Sequence, residues 1–444
     1  MNKRFILLYG ALDFNLFLLV IAIIIVVHFC WSWYSSCYTR GLKLDLWHFY
    51  IFYSFIFSVF FMYPFAGSFL NDIAMSGKME TIREQVDYAF RINVFGYSSV
   101  LLGGYLGNKL LISKSNSFFQ KVQNQGAHYL ERAIRNKFFI YSLLSFLFSF
   151  TAAGLLYSFV RFGVSFKIRN EYLALPEIRP IFNLWVSLFE ITLPILIILY
   201  LDNKRKLMLV ISILILIIFG LFSGNRSTVF FSILNGLLFY LIKNRISLRK
   251  LAVLGFTMVL GIFQLGSVRD GRVFEIEELG FLTYSLFYGN NFSDLRDFAY
   301  ILSYWDGVFL FGKSYLAAFI SFIPRHLSAF RNDYAISAYT NNFLGYEDGT
   351  HGGIRGGLFF EPFLNFGFAG VFVSGLLLGI SLKIANEQII EQLFEKKDYI
   401  KAYSKKFIFI IFSSLMLTAN FWQTYVFIFL LIFSTFIPKI SFKK

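Results

Sequence analysis

Long apolar stretches recur from one end of the chain to the other, and short polar stretches separate them. Many of these stretches approach the roughly twenty residues that a helix needs to cross the hydrocarbon core of a bilayer. The pattern predicts an all-α, polytopic integral membrane protein with about eleven spans, in the range of roughly 10–12. The predicted spans are residues 14–33, 46–66, 90–109, 138–160, 180–201, 207–223, 227–243, 250–268, 358–381, 407–420 and 421–438.

The spacing of the spans divides the chain into three parts. Residues 1–268 hold the first eight predicted spans, and residues 269–357 form the largest loop between spans. Within that loop, the half-apolar, aromatic-rich stretch 308–327 is typical of helices that lie at a membrane interface. Residues 358–444 hold the C-terminal spans, which are separated by a basic loop at 383–406.

Composition and charge agree with a membrane protein. The 444 residues are 57% hydrophobic and only 15% charged, whereas soluble domains carry about 25% charged residues. The net charge of +15 is concentrated in basic loops that share one side if the spans alternate, and that side is the cytoplasm by the positive-inside rule. These loops are residues 109–137, 202–206, 243–250 and 383–406. No basic patch interleaves with a soluble fold, so we predict no nucleic-acid partner.

A few arginines lie on the opposite, outer side and depart from the positive-inside pattern. The guanidinium group is a planar fork of donors that stays charged, which suits a diphosphate. An alternative for any one of them is a contact with a lipid phosphate or an ion pair with an acidic residue of the loop. The candidates for binding a diphosphate or a glycan are Arg226, Arg269, Arg272, Arg325 and Arg355.

Two outer residues are candidates for a catalytic base. Glu361 lies inside the apolar stretch "GGLFFEPFLNFGFAG", where burial would raise the pKa of its carboxyl group. His351 has an intrinsic pKa that is already close to neutrality. The structural alternatives are an ion pair between Glu361 and Arg355 that holds the loop, and an exposed loop position for His351. The sequence leaves open which of the two residues is the base.

The glycines near these residues fall into two groups. Glycines 349, 352, 353, 356 and 357 permit tight turns and a close approach of the backbone to a ligand. Glycines 367, 370, 375 and 379 lie deeper in the apolar stretch and are predicted to pack helices together. No Walker A motif, catalytic GxSxG motif or metal-ligand spacing occurs, and the five histidines are scattered. We therefore predict neither a cofactor nor a metal.

Three stretches of the C-terminal half resemble one family in order. They are "SGNRSTVFFSILNGLL" (223–238), "GNNFSDLRDFAYILSYWDGVFLFGKSYLAAFISFIPRHL" (289–327) and "GGIRGGLFFEPFLNFGFAGVFVSGLLLG" (352–379). With their Gly-x-Arg, Gly-x-Ser-Tyr, Ile-Pro-Arg and Asn-Phe-Gly elements, they resemble the bacterial O-antigen polymerases, the Wzy family. The chain departs from the family at "FFEP", where many relatives have Gly-Glu, and at "SAFRNDY", where many have Lys-Pro.

The resemblance implies a type-C glycosyltransferase-like fold in the bacterial inner membrane, with an active site that faces the periplasm. It implies undecaprenyl-diphosphate-linked oligosaccharide as both donor and acceptor, and membrane lipids and a Wzz-type chain-length co-polymerase as partners. The growing glycan would move to the non-reducing end of a new repeat unit, and undecaprenyl diphosphate would leave. Glu361 or His351 would take the proton from the acceptor hydroxyl, while the outer arginines stabilise the departing diphosphate. Direct displacement would invert the anomeric centre without a metal.

Two other functions stay open from the sequence. An O-antigen ligase shares the fold type and the donor but transfers the glycan to the lipid A core. A flippase or other transporter of the same lipid-linked sugar would carry charges deep in a central cavity and usually shows repeats, whereas the charges here gather at one face. The polymer served (O-antigen, capsule or exopolysaccharide) is not specified by the sequence.

Overall fold

The computed structural model is helical throughout the residues that it describes, and no strand is found among them. The described residues are 16–42, 44–66, 79–112, 118–163, 179–202, 207–222, 226–245, 293–323, 327–344 and 356–414, with isolated residues between 247 and 257, at 354 and between 425 and 432.

The helices are numbered here in chain order. They are α1 (Leu16–Arg40), α2 (Leu46–Ile51), α3 (Met79–Ile112), α4 (Phe118–Arg135), α5 (Lys137–Phe162), α6 (Arg179–Asp202), α7 (Leu207–Phe222), α8 (Arg226–Lys243), α9 (Asp294–Tyr304), α10 (Lys313–Phe319), α11 (Ala329–Tyr334), α12 (Ile336–Leu344), α13 (Phe360–Phe394) and α14 (Tyr399–Ser414). Helix α2 continues through a π-helical stretch, Phe52–Phe61, into a short 3₁₀ turn, Tyr63–Phe65.

Five helical segments among the described residues are long and apolar enough to cross a membrane. They are Leu16–Arg40, Leu46–Phe65, Lys137–Arg161, Phe182–Asp202 and Phe360–Phe394. Each overlaps a predicted span, so the sequence correctly predicted membrane-length helices at these five positions. The chain is therefore a helical membrane protein, while the total of about eleven spans stays a prediction.

Three further predicted spans coincide with helices. The predicted span 90–109 lies within α3, and the spans 207–223 and 227–243 coincide with α7 and α8. The predicted span 407–420 begins within α14, and the spans 250–268 and 421–438 lie largely outside the described residues.

Two stretches predicted as basic loops contain helices instead. Helix α4 occupies most of residues 109–137, and residues 383–406 are helical except for 395–398. Lysines and arginines are good helix formers, so a basic stretch beside a span can extend or follow that span as helix.

The contacts divide the chain into two compact units. The first comprises residues 1–115, 275–384 and 412–421, and the second comprises residues 116–274, 385–411 and 422–444. Helix α13 begins in the first unit, and its last ten residues belong to the second.

In the first unit, α3 and α13 approach each other through glycines. A Cβ atom added at Gly375 would lie 2.7 Å from the carbonyl oxygen of Gly96. A Cβ atom added at Gly379 would overlap the carbonyl oxygen of Val100, and one at Gly103 would overlap that of Leu376. Small residues allow such close approach of helix backbones in membranes. The predicted packing role is confirmed for Gly375 and Gly379.

The same prediction is wrong for Gly367. Gly367 has φ of 60° and interrupts the helical backbone inside α13. Gly370 follows this break, and a Cβ atom there would meet the carbonyl oxygen of Pro362 and the side chain of Phe366, both from its own helix. Gly367 accommodates a kink with a positive φ, a conformation that favours a residue without Cβ, and Gly370 lets the part of α13 after the kink approach the part before it.

In the second unit, polar side chains join helices that are distant in sequence. The indole N–H of Trp185 on α6 donates to Thr151 Oγ1 on α5 at 2.7 Å, and Arg135 Nη2 lies 2.6 Å from Asp398 Oδ2. On α14, the buried Lys406 Nζ donates to Asn235 Oδ1 on α8 at 2.6 Å. Lys406 lies outside the predicted span 407–420, and burial lowers its pKa to about 7.

Candidate functional site

The predicted site residues are only partly within the described residues. Glu361 is described in full, and Arg226 is the first residue of α8, with a side chain outside the described part. The other predicted residues lie outside the described residues: His351, Arg269, Arg272, Arg325 and Arg355. Among the predicted site residues, Glu361 is therefore the one whose side-chain contacts the structure describes.

The Glu361 side chain lies at the start of α13 and is only 2% exposed. Its Oε1 atom accepts a hydrogen bond of 2.6 Å from the hydroxyl of Ser314 on α10. A buried carboxylate is costly unless it is hydrogen-bonded, and this short bond supplies one such partner.

Asn365 lies one turn after Glu361 and completes a polar network. Its Nδ2 atom donates to Ser314 Oγ at 2.8 Å and to the main-chain carbonyl of Glu361 at 2.9 Å. Its Oδ1 atom accepts from the main-chain N–H of Gly312 at 2.9 Å. Gly312 has φ of 84°, a conformation that favours glycine, and this turn directs its N–H at Asn365.

The backbone just before α10 is also hydrogen-bonded to α13. The N–H groups of Leu310 and Phe311 donate to the carbonyls of Leu364 and Asn365 at 2.9 and 3.1 Å. At a break such as that at Gly367, the carbonyls just before it lose alignment with donors one turn further on. The segment before α10 thus supplies donors where the kink exposes acceptors.

Aromatic rings surround this polar network. Phe363, two residues after Glu361, has ring contacts with five aromatic residues at centroid distances of 5.4 to 6.2 Å: Tyr88, Phe298, Trp305, Phe309 and Phe368. Tyr315 stacks on Phe366 at 6.3 Å, and burial together with the nearby Glu361 raises the pKa of its hydroxyl. In such apolar surroundings electrostatic interactions are strong, so the charge state of Glu361 affects its neighbours.

Chemically, the arrangement offers a carboxylate that is able to accept a proton, with a hydroxyl group already donating to it. The carboxylate is closed off in this structure, so a substrate hydroxyl reaches it only if the contact with Ser314 opens. Among the described residues, no three His, Cys, Asp or Glu side chains come together as a metal site.

Sequence reasoning missed Ser314 and Asn365 as partners of Glu361. Asn365 had a usable signal, because a residue four positions after Glu361 lies on the same face of a helix. No such signal exists in the sequence for Ser314, because it lies 47 positions away from Glu361. Arg296 was also missed: it is buried on α9 and donates to Asp297 Oδ1 at 3.2 Å from both Nε and Nη2.

The helices that carry this site define the class of the protein as a helical protein embedded in a membrane. Comparison with protein-family models, with curated proteins and with solved structures finds no match to the chain.

Proposed function

We propose that this protein is a polymerase of lipid-linked oligosaccharides, a membrane glycosyltransferase that joins repeat units carried on undecaprenyl diphosphate. The proposed donor is the growing glycan, and the proposed acceptor is a new repeat unit. The proposed site lies at the outer end of α13, facing the periplasm, and serves O-antigen or a related capsule or exopolysaccharide.

One observation carries the proposal. Two of the sequence elements that resemble the Wzy family are hydrogen-bonded to each other, although about fifty residues separate them. The Gly-x-Ser-Tyr element contributes Ser314 and the N–H of Gly312, and the stretch that ends in Asn-Phe-Gly contributes Glu361 and Asn365. Contact between distant elements of a shared pattern supports a common role for them.

The chemistry of the proposal assigns a proton acceptor to Glu361, with His351 as the alternative. The acceptor hydroxyl attacks the anomeric carbon of the donor, its proton passes to the base, and the bond to the lipid diphosphate breaks. The acceptor hydroxyl would replace the Ser314 hydroxyl at the Glu361 carboxylate. The outer arginines Arg226, Arg269 and Arg272, with Arg325 and Arg355, would stabilise the negative charge on the leaving diphosphate.

The proposal is tested with three purified proteins: the wild type, Glu361→Gln and Arg269→Ala. Each is incubated with a synthetic undecaprenyl-diphosphate repeat unit. We expect wild type to give a ladder of products on a gel and Glu361→Gln to be at least about 10²-fold slower, the usual contribution of a general base. Glu391→Gln is the matched control, because it makes the same chemical change on α13 at an exposed residue that pairs with Lys396.

Four results would contradict the proposal or part of it. A wild type that gives no ladder but transfers glycan to a lipid A core acceptor is a ligase. Lipid-linked sugar that crosses proteoliposomes without polymerising indicates a flippase. Normal polymerisation by Glu361→Gln removes Glu361 as the base and leaves His351. A ladder that persists in a metal chelator supports a metal-independent reaction, and loss that magnesium restores contradicts it.

A further inference from the structure

A second polar cluster of the first unit joins α1 and α2. The Nδ1 atom of His48 lies 2.8 Å from both carboxylate oxygens of Asp45, and its Nε2 atom lies 3.1 Å from Ser32 Oγ. Asp45 and His48 are 3% and 5% exposed, whereas Ser32 is half-buried. The three side chains form a continuous chain from a buried carboxylate to a partly accessible hydroxyl.

The local fold fixes the imidazole between its two neighbours. Asp45 is the N-cap of α2, and its Oδ1 atom also accepts the main-chain N–H of His48 at 2.8 Å. The ring of Phe29 on α1 packs edge-on against the imidazole at 5.6 Å. The His48 ring is therefore held by its own helix on one side and by α1 on the other.

The ionisation state of Asp45 determines whether the Nδ1 atom of His48 donates to it. Burial is the largest single influence and favours the neutral acid, but the hydrogen bonds and charge of His48, together with Lys383, outweigh it and lower the pKa of Asp45. An ionised Asp45 accepts a hydrogen bond from the Nδ1–H group of His48. In the tautomer that carries its proton on Nδ1, the Nε2 atom has a lone pair and accepts the hydrogen bond of the Ser32 hydroxyl.

The surroundings of Ser32 indicate which molecules reach it. Helix α1 is long enough to cross a membrane, yet only 22% of its apolar stretch is buried within the protein. Neighbouring side chains face outward: Trp31 is 71% and Tyr34 64% exposed. Such a helix borders lipid, and aromatic residues of this kind lie at the membrane–water interface. If the predicted spans alternate, this end of α1 lies on the same side as the basic loops, opposite to the site around Glu361.

We propose that Ser32, His48 and Asp45 form an acyl-transfer site for carboxylic esters of membrane lipids. A nucleophile within hydrogen-bond reach of a base that is itself oriented by a third group defines such a site. Ser32 Oγ attacks the ester carbonyl carbon while its proton passes to His48 Nε2. The bond to the leaving alcohol then breaks, and the alcohol takes that proton. Water, deprotonated by His48, releases the fatty acid and restores the Ser32 hydroxyl. This site is independent of the proposed polymerase function.

A fluorophosphonate probe tests the proposal, because it reacts covalently with activated serine hydroxyls. The purified full chain in detergent is incubated with the probe, and mass spectrometry locates the modified residue. We expect modification of wild type at Ser32, none in Ser32→Ala and none in His48→Gln. Ser35→Ala is the matched control, since Ser35 lies on the same helix and is exposed, and it should react like wild type.

Asp45→Asn separates catalysis from folding. Asparagine is as good an N-cap residue as aspartate, so α2 keeps its start, but it places no negative charge beside the imidazole. We expect labelling at least about tenfold slower at an unchanged thermal unfolding midpoint.

A wild type that is not labelled at Ser32, or an Asp45→Asn variant labelled at the wild-type rate, would overturn the proposal. The cluster would then only hold α1 against α2. Ser32→Ala should still give the polymer ladder, so failure of one proposal does not imply failure of the other.

Discussion

Replacing Gly379 by alanine tests the close approach of α3 and α13. In the present structure the added Cβ atom would overlap the carbonyl oxygen of Val100 and lie 2.9 Å from the main-chain nitrogen of Gly104. Non-bonded contacts of carbon atoms are most favourable at about 3.5–4.0 Å, so the two backbones would have to separate by at least about 1 Å to relieve the overlap with the carbonyl oxygen, the nearer of the two atoms. Both obstacles are main-chain atoms, which cannot rotate away as a side chain can.

The expected cost follows from the size of this overlap. Overpacking a close-packed interior usually destabilises by about 1–3 kcal/mol. The glycine-to-alanine change itself favours a helix by up to about 1 kcal/mol, so only a net loss of stability demonstrates the steric effect. Gly154→Ala isolates the helix-propensity term, because a Cβ atom at Gly154 on α5 meets nothing within 4 Å.

Thermal unfolding of the purified variants in detergent measures the difference. We expect Gly379→Ala to unfold at a lower temperature than wild type, and Gly154→Ala to unfold at the same or a higher temperature. Equal midpoints for the two variants would show that α3 and α13 do not approach each other at this glycine, and the packing described for the first unit would be incorrect.

Three other predictions concern polar side chains. Burial lowers the pKa of Lys406 to about 7 from an ordinary value of 10.5, so the unfolded chain binds more protons between these values and stability should rise with pH across that window by at most about 5 kcal/mol from this residue. Lys406→Met should reduce the slope in unfolding measurements at pH 6 to 9 and leave the smaller part that comes from Lys405, whose pKa burial lowers to about 8. Ser314→Ala should reduce polymer ladder formation by about tenfold, because it removes a hydrogen bond to the Glu361 carboxylate but keeps the carboxylate itself. This loss should be smaller than that of Glu361→Gln, and an equal loss in both variants would mean that Ser314 itself is essential. A double-mutant cycle between Arg135 and Asp398, whose side chains are 45% and 23% exposed, should give a coupling below about 1 kcal/mol, and a larger value would show that water does not screen this pair.

The sequence predicted the membrane helices better than the loops. Hydropathy indicates where a span must lie, because a bilayer offers no partners for an unpaired backbone. The same reasoning assigns basic stretches to loops, and it therefore missed α4 and the helical continuation of α13 past Lys383. Charge decides which side of a membrane a stretch occupies, not whether that stretch is helical.

At the candidate site, the sequence indicated Glu361 but not what holds it. A carboxylate inside an apolar run is a visible signal, since burial must be compensated there. Its hydrogen bond with Ser314 depends on how the segment that contains α10 folds back onto α13. No periodicity in the sequence encodes a contact between residues that are 47 positions apart. The kink was missed because glycines at packing positions and the glycine at a helix break look alike in sequence, and only the φ of Gly367 distinguishes them.

The kink at Gly367 has a consequence for biosynthesis. Nothing in a lipid environment donates a hydrogen bond to an unpaired carbonyl, so the first turns of α13 are fully stable only when Leu310 and Phe311 donate to them. The ribosome makes those two residues about fifty positions before the carbonyls that they bind. The segment before α10 is therefore synthesised first and must stay close to the membrane until α13 is inserted, so the final stability of this helix depends on a segment made before it.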